Sequence, residues 1–157
     1  MSQSSRRYLR DSCSWPSLLK KPMMIHCQEA DEDLLGILKK YVPSDHKMYW
    51  HCFTGSYPVI EPLLSHFPNL YVGFKAILTY SSAEQARETV KKIPLERIIV
   101  ENNAPFFLPH WVFKSCCQYA HPGLALHTVR EIARIKDLLL SHTLAILQEN
   151  TCHLYHL

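Results

Sequence analysis

The sequence predicts an α/β fold of parallel βα units, and three observations predict it. From Lys21 onward short apolar runs alternate with stretches whose apolar residues recur at helical spacing. The run Arg97 to Glu101 (RIIVE) is apolar without alternation, as required where both faces of a parallel strand are buried. Polar residues with metal-ligating chemistry stand at the ends of the runs, where parallel α/β folds open into loops on one side.

In chain order, Pro22 to Cys27 (PMMIHC) reads as a first strand. It leads into a helix over Glu29 to Tyr41, where Leu34, Leu35, Leu38 and Tyr41 share a face. Lys47 to Phe53 (KMYWHCF) reads as a second strand. A Gly-Ser turn follows, then a helix with Val59, Ile60, Leu63 and Leu64 that Pro68 stops. Leu70 to Phe74 (LYVGF) is the third strand. Ser81 and Ser82 are the expected N-caps of a helix with Glu84 and Glu88 that ends near Ile93-Pro94. RIIVE is the fourth strand. A Pro-containing loop from Ala104 to Pro122 then precedes two helical faces, one on Leu124, Thr128, Ile132 and Ile135, the other from Leu144 to Leu154. Trp50, Tyr49 and Phe74 read as packing residues rather than a base-stacking surface.

Composition narrows the function classes. The chain has 157 residues, 47% hydrophobic and 20% charged, which describes a globular chain and excludes a disordered one. Lys plus Arg is 17 against 14 for Asp plus Glu, and the net +3 is too small and too scattered to mark a nucleic-acid footprint by itself. Any DNA or RNA role must come from a site. Neither a signal-peptide core nor a membrane span is readable, so the expectation is an intracellular protein, cytoplasmic or nuclear, with cysteines as free thiols. Residues 1–20 read as a divergent, poorly ordered lead-in and residues 21–157 as the domain.

The candidate site residues are His26 after the first strand, His51 after the second and Asn103 just beyond the fourth. His51 and Cys52 are neighbours in a strand pattern, as are His26 and Cys27. Each pair should point to opposite faces, which disfavours a mixed Cys/His metal site. Of the other histidines, His46, His66, His110, His142, His153 and His156 fall in loops, helices or the tail. His121 and His127 stand at and just after the His-Pro-Gly segment that follows the last strand and read as structural or substrate-edge residues.

Three blocks carry a resemblance. KPMMIHCQEADED resembles the TatD-family block in which a strand-ending His precedes Arg and an acidic residue. HCFTGS resembles that family's next metal-binding strand end with its glycine turn. VKKIPLERIIVENNAP is similar to the block that ends Glu-Thr-Asp-x-Pro. The likeness runs from about Lys20 to Leu157, through His121-Pro122-Gly123 and the closing Asn150 to Leu154 region, and is closest to vertebrate members.

The resemblance implies the C-terminal half of a TIM-type (β/α)8 barrel, with about four parallel strands and outer helices. A complete barrel of that type takes ~250 residues. It also implies a metal-dependent nuclease that hydrolyses phosphodiesters of DNA or RNA with divalent Mg, Mn or Zn. On that reading His26 and His51 hold the metal, and Asn103 stands where the family has a metal-binding, water-orienting Asp. Gln28 stands where the family places a substrate-facing Arg, and Asn102 replaces a Thr. Asn103 offers an amide oxygen but no charge and no proton-accepting base. The family's opening His-x-His pair and metal-bridging Glu belong to a first half that these 157 residues do not include. Two imidazoles without a carboxylate should hold a divalent ion weakly, so catalysis should be weak or absent. A non-catalytic remnant, or a binding protein that contacts nucleic acid or a full-length relative, is the alternative. Another barrel chemistry such as amidohydrolysis is a third, since the fold hosts many. An open barrel face should favour self-association.

Overall fold

The computed structural model describes residues 21–26 and 31–157. Expectations for residues 1–20, Cys27 and Gln28 lie outside those residues.

Four strands, β1 (Met23–Ile25), β2 (Met48–Trp50), β3 (Leu70–Phe74) and β4 (Ile98–Val100), form one sheet in the order β1-β2-β3-β4. Every pairing is parallel, with Ile25 beside Trp50, Trp50 beside Val72, and Val72 beside Ile98. The connections are helical: α1 (Asp31–Tyr41), α2 (Tyr57–His66) and α3 (Glu84–Lys92). Each fills the crossover that parallel strands require. Helices α4 (Ala125–Lys136) and α5 (Leu140–Tyr155) close the chain. The α/β reading, with four parallel strands and helices, is the observed architecture.

The two-residue pleat sorts the strands into faces. Met23, Ile25, Met48, Trp50, Leu70, Val72, Phe74 and Ile98 point to the helix side. There they join Leu34 and Leu38 of α1, Ile60 and Leu63 of α2, Val90 of α3 and Ile132 of α4 in one core. The opposite face is smaller, with Tyr49, Tyr71 and Ile99 packed on Leu154.

This second face corrects an expectation. It was expected to stand open, yet α5 covers its β3-β4 half. Leu147 of that helix packs in the outer core while Leu154 packs on the inner face, so α5 passes the free edge of β4 and ends beneath the sheet. Asn150 fastens it there, its Nδ2 donating to the carbonyls of Leu95 and Ile98, both at 2.8 Å. Tyr71 Oη lies 2.5 Å from His153 Nδ1. Met24 on β1 remains 56% exposed, so only the β1 side of the face is open.

Two boundaries also differ. Helix α3 begins at Glu84 after Ala83, and no side chain caps it; Ser81 and Ser82 lie in the preceding turn. Leu95–Arg97 forms a 3-10 turn, so β4 starts one residue later than Arg97. There Arg97 Nε donates to Leu70 O at 2.7 Å, which ties the turn to β3.

Candidate metal centre

The carboxyl ends of β1, β2 and β4 put His26, His51 and Glu101 on one side of the sheet. His26 follows β1 directly, and its ring centroid is 5.4 Å from that of His51 with the planes tilted by 32°. The parallel register explains this, because Ile25 and Trp50, the residues before the two histidines, are partners.

Glu101 is the residue that sequence reasoning missed as a site residue. From the end of β4 its carboxylate reaches across β3 to the end of β2. There Oε1 lies 3.1 Å from His51 Nδ1, and the backbone N–H of Cys52 donates to Oε1 at 3.2 Å and Oε2 at 3.0 Å. A carboxylate can only accept, so His51 Nδ1 is the donor in this bond, and the neutral form of the ring would present the Nε2 lone pair. The crossing depends on Gly73, where a Cβ would stand 1.8 Å from Glu101 Oε1. A glycine inside a strand marks such close approaches, and the LYVGF run carried that signal.

Cys52 provides the second correction. It was assigned to the face opposite His51, yet its Sγ is 3.1 Å from His51 Nε2. The strand stops at Trp50, and Cys52 takes a left-handed conformation with φ 52°, so the pleat that sends neighbours apart no longer applies. Cys52 Sγ also reaches Asn103 Oδ1 at 3.7 Å, which brings Asn103 to the same cluster. Among the described residues His51, Cys52 and Glu101 offer ligand atoms all within 4.8 Å of one another. Burial, then the hydrogen bond and negative charge of Glu101, push the Cys52 thiol up to about 11. It is therefore a protonated thiol at neutral pH, with Nε2 and Oδ1 as acceptors in reach.

The neighbours of Asn103 are structural. Asn102 Nδ2 donates to His121 O at 3.0 Å, and its Oδ1 accepts from the Ala104 N–H at 2.8 Å, so Asn102 pins both ends of the loop after β4. His127 Nδ1 accepts from Trp111 Nε1 at 2.8 Å. His66, His110, His121, His142, His153 and His156 are exposed, while His46 is half-buried.

The comparison with known sequences decides the lineage: the profile of the TatD related DNase family matches residues 2–156. The chain belongs to the TatD family. It is 72% identical over 139 residues to the human 3'-5' RNA nuclease TATDN2, covering 88% of this chain and 18% of that protein. It is 30% identical over 136 residues to the uncharacterized metal-dependent hydrolase YabD of Bacillus subtilis, covering 87% of this chain and 51% of YabD. A 3'-5' ssDNA/RNA exonuclease TatD of Erwinia tasmaniensis is 35% identical over 92 residues, 58% of this chain and 35% of the enzyme. The chain thus spans about half the length of YabD and a smaller part of the other two.

Among solved structures, the TatD homologue YJJV of Escherichia coli superposes with a TM-score of 0.77 at 20% identity, over 90% of this chain and 52% of that one. An uncharacterized amidohydrolase of Saccharomyces cerevisiae gives 0.75 at 18% identity, over 96% and 58%. At these identities the likeness is one of fold. It matches the four-stranded parallel sheet with helices described above.

Proposed function

We propose that the TatD chain carries a metal-dependent phosphodiesterase site for DNA or RNA that is impaired by its own residues. The observation that carries this reading is the approach of the His26 and His51 rings at the ends of paired strands, with Asn103 joined to them through Cys52. The names of the human and Erwinia relatives supply the substrate class.

The donors present could hold a divalent ion, Mg, Mn or Zn, only weakly, since two imidazoles and a neutral amide bring no charge and favour Zn over Mg. Imidazole nitrogens from His26 and His51 would hold it, with the Asn103 amide oxygen as a neutral third donor. Glu101 supports this use of His51. A carboxylate on Nδ1 fixes the tautomer that presents Nε2 and makes that nitrogen more basic. When bound, such an ion supplies Lewis acidity toward a phosphoryl oxygen and lowers the pKa of its water. The chain's residues supply less than a working site needs. Asn103 cannot take a proton, and its neutral amide leaves the ion's charge uncompensated. Gln28, outside the described residues, offers hydrogen bonds but no fixed cation for a phosphate.

A non-catalytic binding role is the second reading, favoured by the neutral Asn103 beside a protonated Cys52 thiol. The two readings share the metal centre. Calorimetric titration of the purified chain with Mn or Zn tests it: saturable binding that weakens by about tenfold or more in His26→Ala and in His51→Ala is expected. Binding unchanged in both variants would remove the centre. In neither reading is a membrane invoked, and no helix among the described residues is long and apolar enough to cross one.

A further inference from the structure

Each strand of the sheet is followed by a polar side chain on the same face. The pleat that turns Ile25, Trp50, Phe74 and Val100 toward the helix side turns the next residues, His26, His51, Lys75 and Glu101, the other way. Lys75 keeps the extended backbone of β3, with φ −124° and ψ −177°, so the alternation carries on to it. Phe74 pairs with Val100, which sets Lys75 level with Glu101. The end of β3 thus brings an ammonium to the face where β1, β2 and β4 bring two imidazoles and a carboxylate.

Lys75 is held at both ends. The Leu78 N–H donates to Lys75 O at 3.0 Å, which fixes the base of the side chain. The side chain is half-buried, and its ammonium sits 4.6 Å from the centroid of the Phe107 ring, an attraction between a cation and a π face. From there its charge and hydrogen bond reach the Cys52 thiol, whose Sγ is 3.1 Å from His51 Nε2. Only the Cys52 side chain separates the ammonium from the nitrogen that would hold an ion.

Charge decides what Lys75 does there. With neutral rings, His26, His51 and Asn103 bring none, and the negative charge of Glu101 is opposed by the positive charge of Lys75. Glu101 is committed to His51 Nδ1 and the Cys52 amide, and among the described residues no carboxylate forms an ion pair with Lys75. A dication entering this half-buried cluster meets a fixed like charge that nothing cancels. Repulsion of that kind weakens binding by about tenfold or more. Swinging aside would cost Lys75 its Phe107 contact, so relief by movement is partial.

We propose that Lys75 is a resident cation of the candidate metal centre and holds its affinity for divalent ions down. The inference rests on the metal-centre reading above and gives that centre a second cause of weakness, independent of Asn103. High salt, which screens the ammonium, should narrow its effect.

Calorimetric titration of the full chain with Mn and with Zn tests it. Lys75→Met keeps the length and drops the charge, and is expected to bind each ion about tenfold or more tighter than wild type. Lys75→Gln should match it, which separates charge from apolar packing on Phe107. Lys75→Arg keeps the charge and should stay as weak as wild type. Adding His51→Ala should abolish the gain of Lys75→Met. Unchanged affinity in Lys75→Met and Lys75→Gln, or an equal gain in Lys75→Arg, would overturn the inference while leaving the histidine centre standing. Failure of the centre itself has a different signature: binding indifferent to His26→Ala and His51→Ala, with or without Lys75→Met, would overturn both readings.

Discussion

Gly73 of β3 and Glu101, the residue after β4, lie so close that a Cβ on residue 73 would stand 1.8 Å from Glu101 Oε1. The gap left by the glycine is the path by which the Glu101 carboxylate reaches the end of β2. Gly73→Ala must therefore expel Glu101 from His51 Nδ1 and from the Cys52 amide. Loss of hydrogen bonds to a charged acceptor costs ~1.5–3 kcal/mol, and loss of a ligand's supporting carboxylate ~10–100-fold in metal affinity. Urea denaturation and metal titration of Gly73→Ala should show both. Glu101→Ala should reproduce the affinity loss, and full affinity in Glu101→Ala would mean that His51 needs no orienting partner.

The Cys52 thiol gives a signed pH dependence. Its pKa rises from 9.0 to about 11 on folding, so the folded state holds the proton more tightly than the unfolded state. Its contribution to stability is complete below about 9 and is lost as pH climbs toward 11. Denaturation curves at rising pH should show a decline between those values that is shallower in Cys52→Ala. Tyr49 and Tyr71, also raised by burial, act in the same sense in both proteins, and because Cys52 adds to the rise of Tyr49, the difference between the two reports Cys52 together with its effect on Tyr49. Parallel curves would contradict the assignment.

Asn150 carries α5. Removing its side chain leaves the Leu95 and Ile98 carbonyls without their donor, a cost of ~1–3 kcal/mol for buried groups. Leu154→Ala, at a site fully buried against Tyr71 and Ile99, should cost ~2–5 kcal/mol. Both substitutions loosen the helix over the inner face. We expect light scattering to report self-association that increases in Leu154→Ala, through the face bearing Met24 and Tyr49. A strictly monomeric variant would count against that face as a contact surface.

Much of the fold was legible because its signals are local. Four apolar runs, helical spacing between them and Pro or Gly at the breaks give the βα order without tertiary information, and the His26 and His51 positions follow from strand ends. What the sequence concealed depends on three-dimensional detail. Cys52 turned out on the His51 side because one residue adopts positive φ. Glu101 read as the end of a buried strand, and only the missing side chain at Gly73, on a different strand, lets it act on His51. The inner face read as open because period alone cannot tell that α5, past its Leu147 contact, continues beneath β4 to Leu154.

Asn103→Asp restores a carboxylate next to Cys52 and should tighten Mn or Zn binding in calorimetry, since a charged oxygen donor replaces a neutral one. Turnover should stay low, because one restored ligand does not complete a two-histidine centre. Fusion to the first half of a TatD relative, with Asn103→Asp and Gln28→Arg together, is the combination expected to recover cleavage. Recovery by Asn103→Asp alone would show that the chain's own residues suffice.

On the proposed function, His26 and His51 hold a metal ion that hydrolyses phosphodiesters weakly or not at all. The most direct test is a time course of end-labelled single-stranded DNA and RNA with the purified chain and Mg, Mn or Zn. General acid–base groups alone contribute ~10²–10⁴-fold, so a centre with Asn103 in place of the base should leave the strands essentially intact. Metal-dependent cleavage by the unmodified chain that His26→Ala or His51→Ala abolishes would contradict the account and make this a working nuclease.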